Sequence, residues 1–258
     1  MTSAKLALVT GGSTGIGRHL AQLAAEDGHD LLIASDDAAI ADMEALTATG
    51  VTVETVMADL SREAGMDELL ARLGARVPDL FFANAGRGLG QAMVDQQADD
   101  IRHLIGTNIM GTTLLTHEIA RRMVRRGAGR ILMTGSIAGY MLGTYQAVYN
   151  ASKAYVNMLA VALRHELQDS GVSVTCLSPG PTDTEFFGRA GLLDTPIGQG
   201  PKDDPAVVAK AGYQAMMARK EEIVPGLKNK SMVAASHVTP KSVLAEQHRK
   251  MAKPQDPA

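Results

Sequence analysis

The chain of 258 residues has no tryptophan, one cysteine, and only four phenylalanines and five tyrosines. A lone cysteine, Cys176, excludes an intrachain disulfide, and its place in the apolar run VSVTCLSP predicts a buried strand thiol. No window stays apolar over the roughly 18 residues that a membrane span needs, so no membrane partner is expected. The opening MTSAKLALVTGG breaks into glycines before it makes the apolar core of a signal peptide, and a cytoplasmic location is the expectation. Nor is there an excess of positive charge. A net charge of −3 gives no electrostatic case for nucleic acid or an anionic surface as partner. The one basic cluster, ARRMVRRGAGR, falls at the end of a predicted helix, where cations complement the dipole. Seven histidines are scattered without ligand spacing, so no metal site is expected.

What is present is alternation. KLALVT (5–10), DLLIAS (30–35), VTVETVM (51–57), DLFFAN (79–84), RILMTG (130–135) and VSVTCLS (172–178) read as strands, with EEIVPG as a short seventh. Most are nearly continuous in hydrophobicity, as parallel strands covered on both faces should be. Between them the periodicity predicts helices near 16–27, 37–48, 62–75, 97–126 (broken near Gly106 or Asn108), 147–169 and 205–219. Strand and helix in this repeat predict one α/β domain over 1–258: a doubly wound, Rossmann-type parallel sheet of six to seven strands with helices on both faces. Residues 180–204 are rich in Gly, Pro and Thr and have no period, the mark of a substrate lid. The tail from about 227 is expected to form an amphipathic helix pair that packs on the body or on a neighbouring subunit, with a frayed end at KPQDPA.

The first strand runs into LVTGGSTGIGRHL, where Gly11, Gly15 and Gly17 stand as G-x-x-x-G-x-G. Glycines there permit a tight turn and close backbone approach, and the following helix N-terminus offers free N–H groups to a pyrophosphate. Asp36 closes the second strand about 20 residues later, where an acid accepts from a ribose 2′-OH. A 2′-phosphate would meet repulsion from Asp36 and Asp37, which favours NAD over NADP, while Arg18 nearby in sequence works the other way. Alternatively, both aspartates merely cap the next helix.

In GYMLGTYQAVYNASKAY only Tyr149 has a lysine four places on, Lys153. That spacing puts both on one helix face, and a surface pair would look the same in isolation. Read as chemistry, a phenol with an ammonium one turn away is an acid/base group whose anion is stabilised.

Taken together, TGGSTGIG at 10–17, Asp59 after the third strand, NAG at 84–86, Asn108 in TNIMG, Ser136 followed by YNASK, and SPGPTDT at 178–184 resemble the short-chain dehydrogenase/reductase family, of the classical type. The resemblance runs from about residue 4 to 184. It implies an NAD- or NADP-dependent oxidoreductase that interconverts a secondary alcohol and a carbonyl compound. The catalytic four would be Asn108, Ser136, Tyr149 and Lys153. Ser136 lies 13 residues before Tyr149, which selects Tyr149 over Tyr140 and Tyr145.

The dinucleotide would lie against Gly11, Ser13, Thr14, Gly15, Ile16, Gly17, Asp36, Asp59, Leu60, Asn84, Ala85, Gly86, Tyr149, Lys153, Pro179, Gly180 and Thr182. Asp59 would hold the adenine, and Asn108 would order a water linking Lys153 to solvent. Substrate would meet Ser136, Tyr149, Phe186 and Phe187, the last two with Leu192 and Leu193 in an apolar lid. Relatives of this kind are dimers or tetramers joined near 107–126 and 147–169. Ala83 and Thr182 depart from the family pattern, where Asn and a branched aliphatic are common. The competing reading is a dinucleotide-sensing regulatory or scaffold protein without turnover; intact Ser136, Tyr149 and Lys153 argue against it.

Overall fold

The computed structural model describes residues 5–255. Seven strands form one parallel sheet: β1 (Leu6–Thr10), β2 (Asp30–Ser35), β3 (Val53–Met57), β4 (Leu80–Ala83), β5 (Gly129–Thr134), β6 (Val172–Leu177) and β7 (Glu222–Ile223). Their order is β3-β2-β1-β4-β5-β6-β7, so the winding reverses between β1 and β4. That reversal opens a crevice beyond the carboxyl ends of these two strands.

Alternation along each strand divides the core in two. Leu8, Leu32, Phe81, Ile131 and Val174 pack on one face with Leu69, Leu115, Ile119 and Val156. Those partners lie on α2 (Glu63–Leu73), α4 (Thr112–Arg126) and α5 (Ala147–Glu166). Val9, Ile33, Phe82 and Leu132 point the other way, onto Leu20, Ala24, Val208 and Met216 of α1 (Gly15–Glu26) and α8 (Pro205–Met217). Each such Leu, Ile, Val, Phe or Met side chain stabilises the fold by about 1.5–3 kcal/mol through burial, which is why the strand runs are apolar at nearly every position. Cys176 is buried in the first of these cores, as expected, and burial pushes its thiol up to about 12.

Two helix expectations are corrected. The segment expected as helix over 37–48 is a 3-10 stretch, Ala38–Thr49, started by the Asp37 carboxylate accepting from Ala39 N at 2.8 Å. The expected break in 97–126 is a π turn, Gly106–Gly111, joining α3 (Ala98–Ile105) to α4 without interruption. A Cβ on Gly106 would lie 2.7 Å from the Ser61 carbonyl, so the turn bulges where it meets the β3–α2 loop backbone to backbone. The basic cluster does more than face solvent. Arg126 donates to the carbonyls of Val77 and Pro78 at 2.8 Å, sewing the end of α4 to the approach to β4.

The segment expected as a lid, 180–204, carries two short helices, α6 (Phe186–Arg189) and α7 (Pro196–Gln199), and its ends are joined by a bridge between Thr182 and Asp203. The tail forms the expected helix pair, α9 (Leu227–Ser236) and α10 (Lys241–Ala252), and α10 packs on α7. Of the end expected to fray, Gln255 N donates to Asp194 O at 3.0 Å, and 256–258 lie outside the described residues. No helix among the described residues is long and apolar enough to cross a membrane.

Candidate active site

A cavity of about 790 Å³ opens at the switch point, over the ends of β1, β4, β5 and β6. Gly11 and Gly15–Gly17 form its floor with Ser13 and Thr14. Gly11 has φ +62°, a conformation disfavoured for side chains, and a Cβ on Gly17 would lie 2.0 Å from Gly11 O. The loop is therefore a cradle of bare backbone. No side chain caps the first turn of α1, so its N–H groups remain available to an anion.

Asn84 holds this cradle in place. Its Nδ2 donates to Gly11 O at 3.0 Å and Thr10 O at 3.3 Å, and its Oδ1 accepts from Thr134 Oγ1 at 3.0 Å. One amide thus ties together the ends of β1, β4 and β5, while Asn84, Ala85 and Gly86 line the cavity wall.

Asp36 stands exposed at the cavity edge, with Ala58 and Leu60 nearby in the same wall. Asp59 is set behind the lining. Its Oδ1 accepts from Ser61 N at 2.9 Å and Ser61 Oγ at 2.6 Å, and Oδ2 meets Arg62 Nε at 3.1 Å. Burial opposes its charge, but these hydrogen bonds and the neighbouring His103 and Arg62 outweigh it and hold the carboxyl below its ordinary range. His103, which the sequence reading missed, lines the cavity with Nε2 3.5 Å from Asp59 Oδ1. Arg18 is exposed and contributes nothing to the cavity.

At the other end Ser136, Tyr149 and Lys153 meet, all buried and all lining the cavity. Tyr149 and Lys153 project from the first turns of α5; Ser136 follows β5. Ser136 Oγ accepts from Ala138 N at 3.1 Å and donates to Pro179 O at 3.4 Å. Lys153 Nζ donates to Thr134 O at 2.9 Å. Burial pushes the Tyr149 phenol up to about 12, partly offset by the Ser136 hydroxyl, and pushes Lys153 down to about 8. The expected lowering of the phenol is thus not a property of the protein groups alone: desolvation is the largest influence here.

Asn108, on the π turn, is buried behind the wall. Its Oδ1 accepts from Arg87 N at 2.8 Å, and its Nδ2 donates to Arg87 O and Ser152 Oγ at 2.9 Å. This amide clamps the loop after β4 to α5.

Pro179, Gly180 and Thr182 line the cavity with Tyr149, and so do Phe186, Phe187, Arg189 and Ile197 of the expected lid segment. The Phe186 ring tilts against Tyr149 at 5.2 Å between centroids. Phe187 borders the cavity too, but it is buried in a small lid core with Ala190 and Leu192, while Leu193 is exposed. Arg189 reaches back to ion-pair with Asp37 and Glu185, fastening the lid to the end of β2. Tyr140 and Tyr145 line no part of this cavity; the Tyr140 hydroxyl donates to Glu222.

A backbone cradle beside a buried tyrosine, lysine and serine defines a dinucleotide-dependent oxidoreductase site. The short-chain dehydrogenase family model matches residues 5–191, and the chain belongs to that family as an NAD(P)-dependent enzyme. It is 30% identical to an uncharacterised oxidoreductase of Staphylococcus saprophyticus, over 82% of this chain and 91% of that protein. It is similar in structure to a short-chain dehydrogenase from Sphingobium yanoikuyae in complex with NADPH, with TM-score 0.81, 30% identity, and 91% and 94% of the two chains covered. A bulky-bulky ketone specific alcohol dehydrogenase from Comamonas testosteroni matches with TM-score 0.77 and 26% identity over 91% and 92%.

Proposed function

We propose that the enzyme interconverts a secondary alcohol and its ketone, with Tyr149 as proton donor and acceptor and NAD as the preferred coenzyme. The observation that supports this reading best is the convergence of Ser136, Tyr149 and Lys153 on the same cavity as the glycine cradle. The dinucleotide, when bound, supplies or takes the hydride and, oxidised, brings a positive ring.

In the reducing direction Tyr149 needs to be protonated, and a phenol held near 12 is fully so at neutral pH. Ser136, with its oxygen fixed by Ala138 N, steadies the carbonyl oxygen and the charge that develops on it. In the oxidising direction the phenolate needs stabilisation that offsets the burial holding the phenol's pKa up. The Lys153 ammonium on the same helix face has the right sign but is itself weakened by burial, so it supplies only part of this. Asn108 is a positioning residue, holding the loop that carries Arg87 against α5.

The coenzyme preference rests on charge. Asp36 lines the cavity and is followed in sequence by Asp37, and Arg189, which lines the cavity too, is already paired with Asp37 and Glu185. A 2′-phosphate would enter a negative environment. The relative from Comamonas testosteroni is named for ketones bulky on both sides, and the apolar side chains about Tyr149 in this chain suit such a substrate.

The test is a calorimetric titration of wild type and Asp36→Ala with NADH and NADPH, followed by a ketone screen with the tighter coenzyme. NADH should bind more tightly to wild type, and Asp36→Ala should narrow the preference by about tenfold. Tighter NADPH binding by wild type, or an unchanged ratio in the variant, would overturn the coenzyme assignment. Coenzyme oxidation by none of the ketones, with none of the alcohols reducing it, would overturn the reaction.

A further inference from the structure

The family match ends at residue 191, yet the cavity continues onto the tail. Met232 of α9 and His248 and Met251 of α10 line the same cavity as Tyr149, with Met141 and Phe186. Three methionines and a phenylalanine make an apolar, adaptable lining, since the unbranched thioether fills irregular space.

The helix that brings His248 and Met251 is fixed at a buried joint. His248 is 3% exposed, and its Nδ1 lies 2.8 Å from Thr144 O. A carbonyl only accepts, so Nδ1 carries the proton and Nε2 is left to accept from Asn150 Nδ2 at 3.4 Å. Asn150 Nδ2 also donates to Met141 O at 3.2 Å, and Thr144 Oγ1 donates to Ala245 O at 2.9 Å. These bonds close on the loop that leads into α5 and on Asn150 of α5, next in sequence to Tyr149. In that loop Tyr145 has φ +67°, a conformation that a non-glycine residue keeps only when its surroundings hold it. On its other side α10 packs on α7 of the lid.

We propose that α10 is the specificity-determining wall of the substrate chamber, and that His248 is the positioning residue that ties this wall to the catalytic helix. The proposal rests on the oxidoreductase reading above and goes beyond it: the tail, rather than the lid alone, selects ketones and alcohols bulky and apolar on both sides of the reacting carbon.

Because the chain has no tryptophan, Met251→Trp and, separately, Met232→Trp each install a single reporter in the wall. Each variant, saturated with oxidised NAD so that no ketone is reduced, is titrated with dicyclohexyl ketone and with acetone while tryptophan emission is followed. The expected result is a saturable change with dicyclohexyl ketone and none with acetone. In the reporter background His248→Leu should weaken dicyclohexyl ketone about tenfold, the scale of one to two lost buried hydrogen bonds. His248→Gln, which keeps one donor and one acceptor, should restore most of that affinity, with NADH affinity level throughout. Silence of both reporters towards dicyclohexyl ketone, with NADH still bound, would overturn the proposal. Failure of wild type to bind NADH would instead overturn the reading of the cleft, and this proposal with it.

Discussion

Asn84→Ala removes an amide that joins three strand ends, and the consequence can be worked from its bonds. Two donated bonds and one accepted bond are lost, at 3.0, 3.3 and 3.0 Å. Each is worth about 1 kcal/mol net, with the longest worth least, so the loss is about 2–3 kcal/mol. For a chain of this size each kcal/mol moves Tm by about 2–4 °C, which gives a fall of about 5–10 °C. The same change frees Gly11, whose φ of +62° shapes the cradle, so NADH should also bind more weakly and rescue less of the lost stability. Thr134→Val, which removes only one of the bonds, should cost about a third as much. The assay is a thermal melt by circular dichroism with and without NADH. An Asn84→Ala protein with the wild-type Tm and wild-type NADH shift would refute the view that this amide holds the cradle.

Arg189→Gln should speed NADH release about two- to threefold in stopped flow, since a partly exposed pair such as Asp37–Arg189 is worth under about 1 kcal/mol. An unchanged release rate would show that the lid is not fastened there. Burial lowers His248 below its ordinary value, with the bond to Thr144 opposing, so the folded state prefers the neutral ring. That contribution to stability is complete above about pH 6.5 and is lost as pH falls through the lowered folded value. His29, lowered chiefly by burial, acts with the same sign, so the comparison that isolates His248 is wild type against His248→Gln. The variant should lose less stability than wild type between pH 7 and about pH 5 in urea titrations; parallel losses would contradict the buried-joint geometry.

The sheet was legible because its strands are apolar at nearly every position, a pattern that only two-sided cover explains. Gly11 and Gly17 were legible for a similar reason: each meets a local backbone demand that other residues cannot satisfy. The meeting of Ser136 with Tyr149 and Lys153 was implied by the family resemblance, and spacing alone spoke only for Tyr149 and Lys153. What stayed hidden was non-local. Arg189 finds Asp37 across 152 residues and His248 finds Asn150 across 98, and no periodicity records either approach. The π turn at Gly106–Gly111 looked like a break because glycines usually end helices; here they let the helix touch the β3–α2 loop. Stabilisation of the Tyr149 phenolate was expected from Lys153 together with the oxidised coenzyme's ring, whereas the desolvation that opposes it is visible only in the fold.

The most direct test of the chemistry is Tyr149→Phe, examined by NADH titration and by single-turnover hydride transfer to a ketone that wild type reduces. Loss of the phenol hydroxyl should leave NADH affinity within about twofold while slowing transfer about a thousandfold, the scale of a lost general acid. Transfer at the wild-type rate would remove Tyr149 from its role and contradict the proposed mechanism.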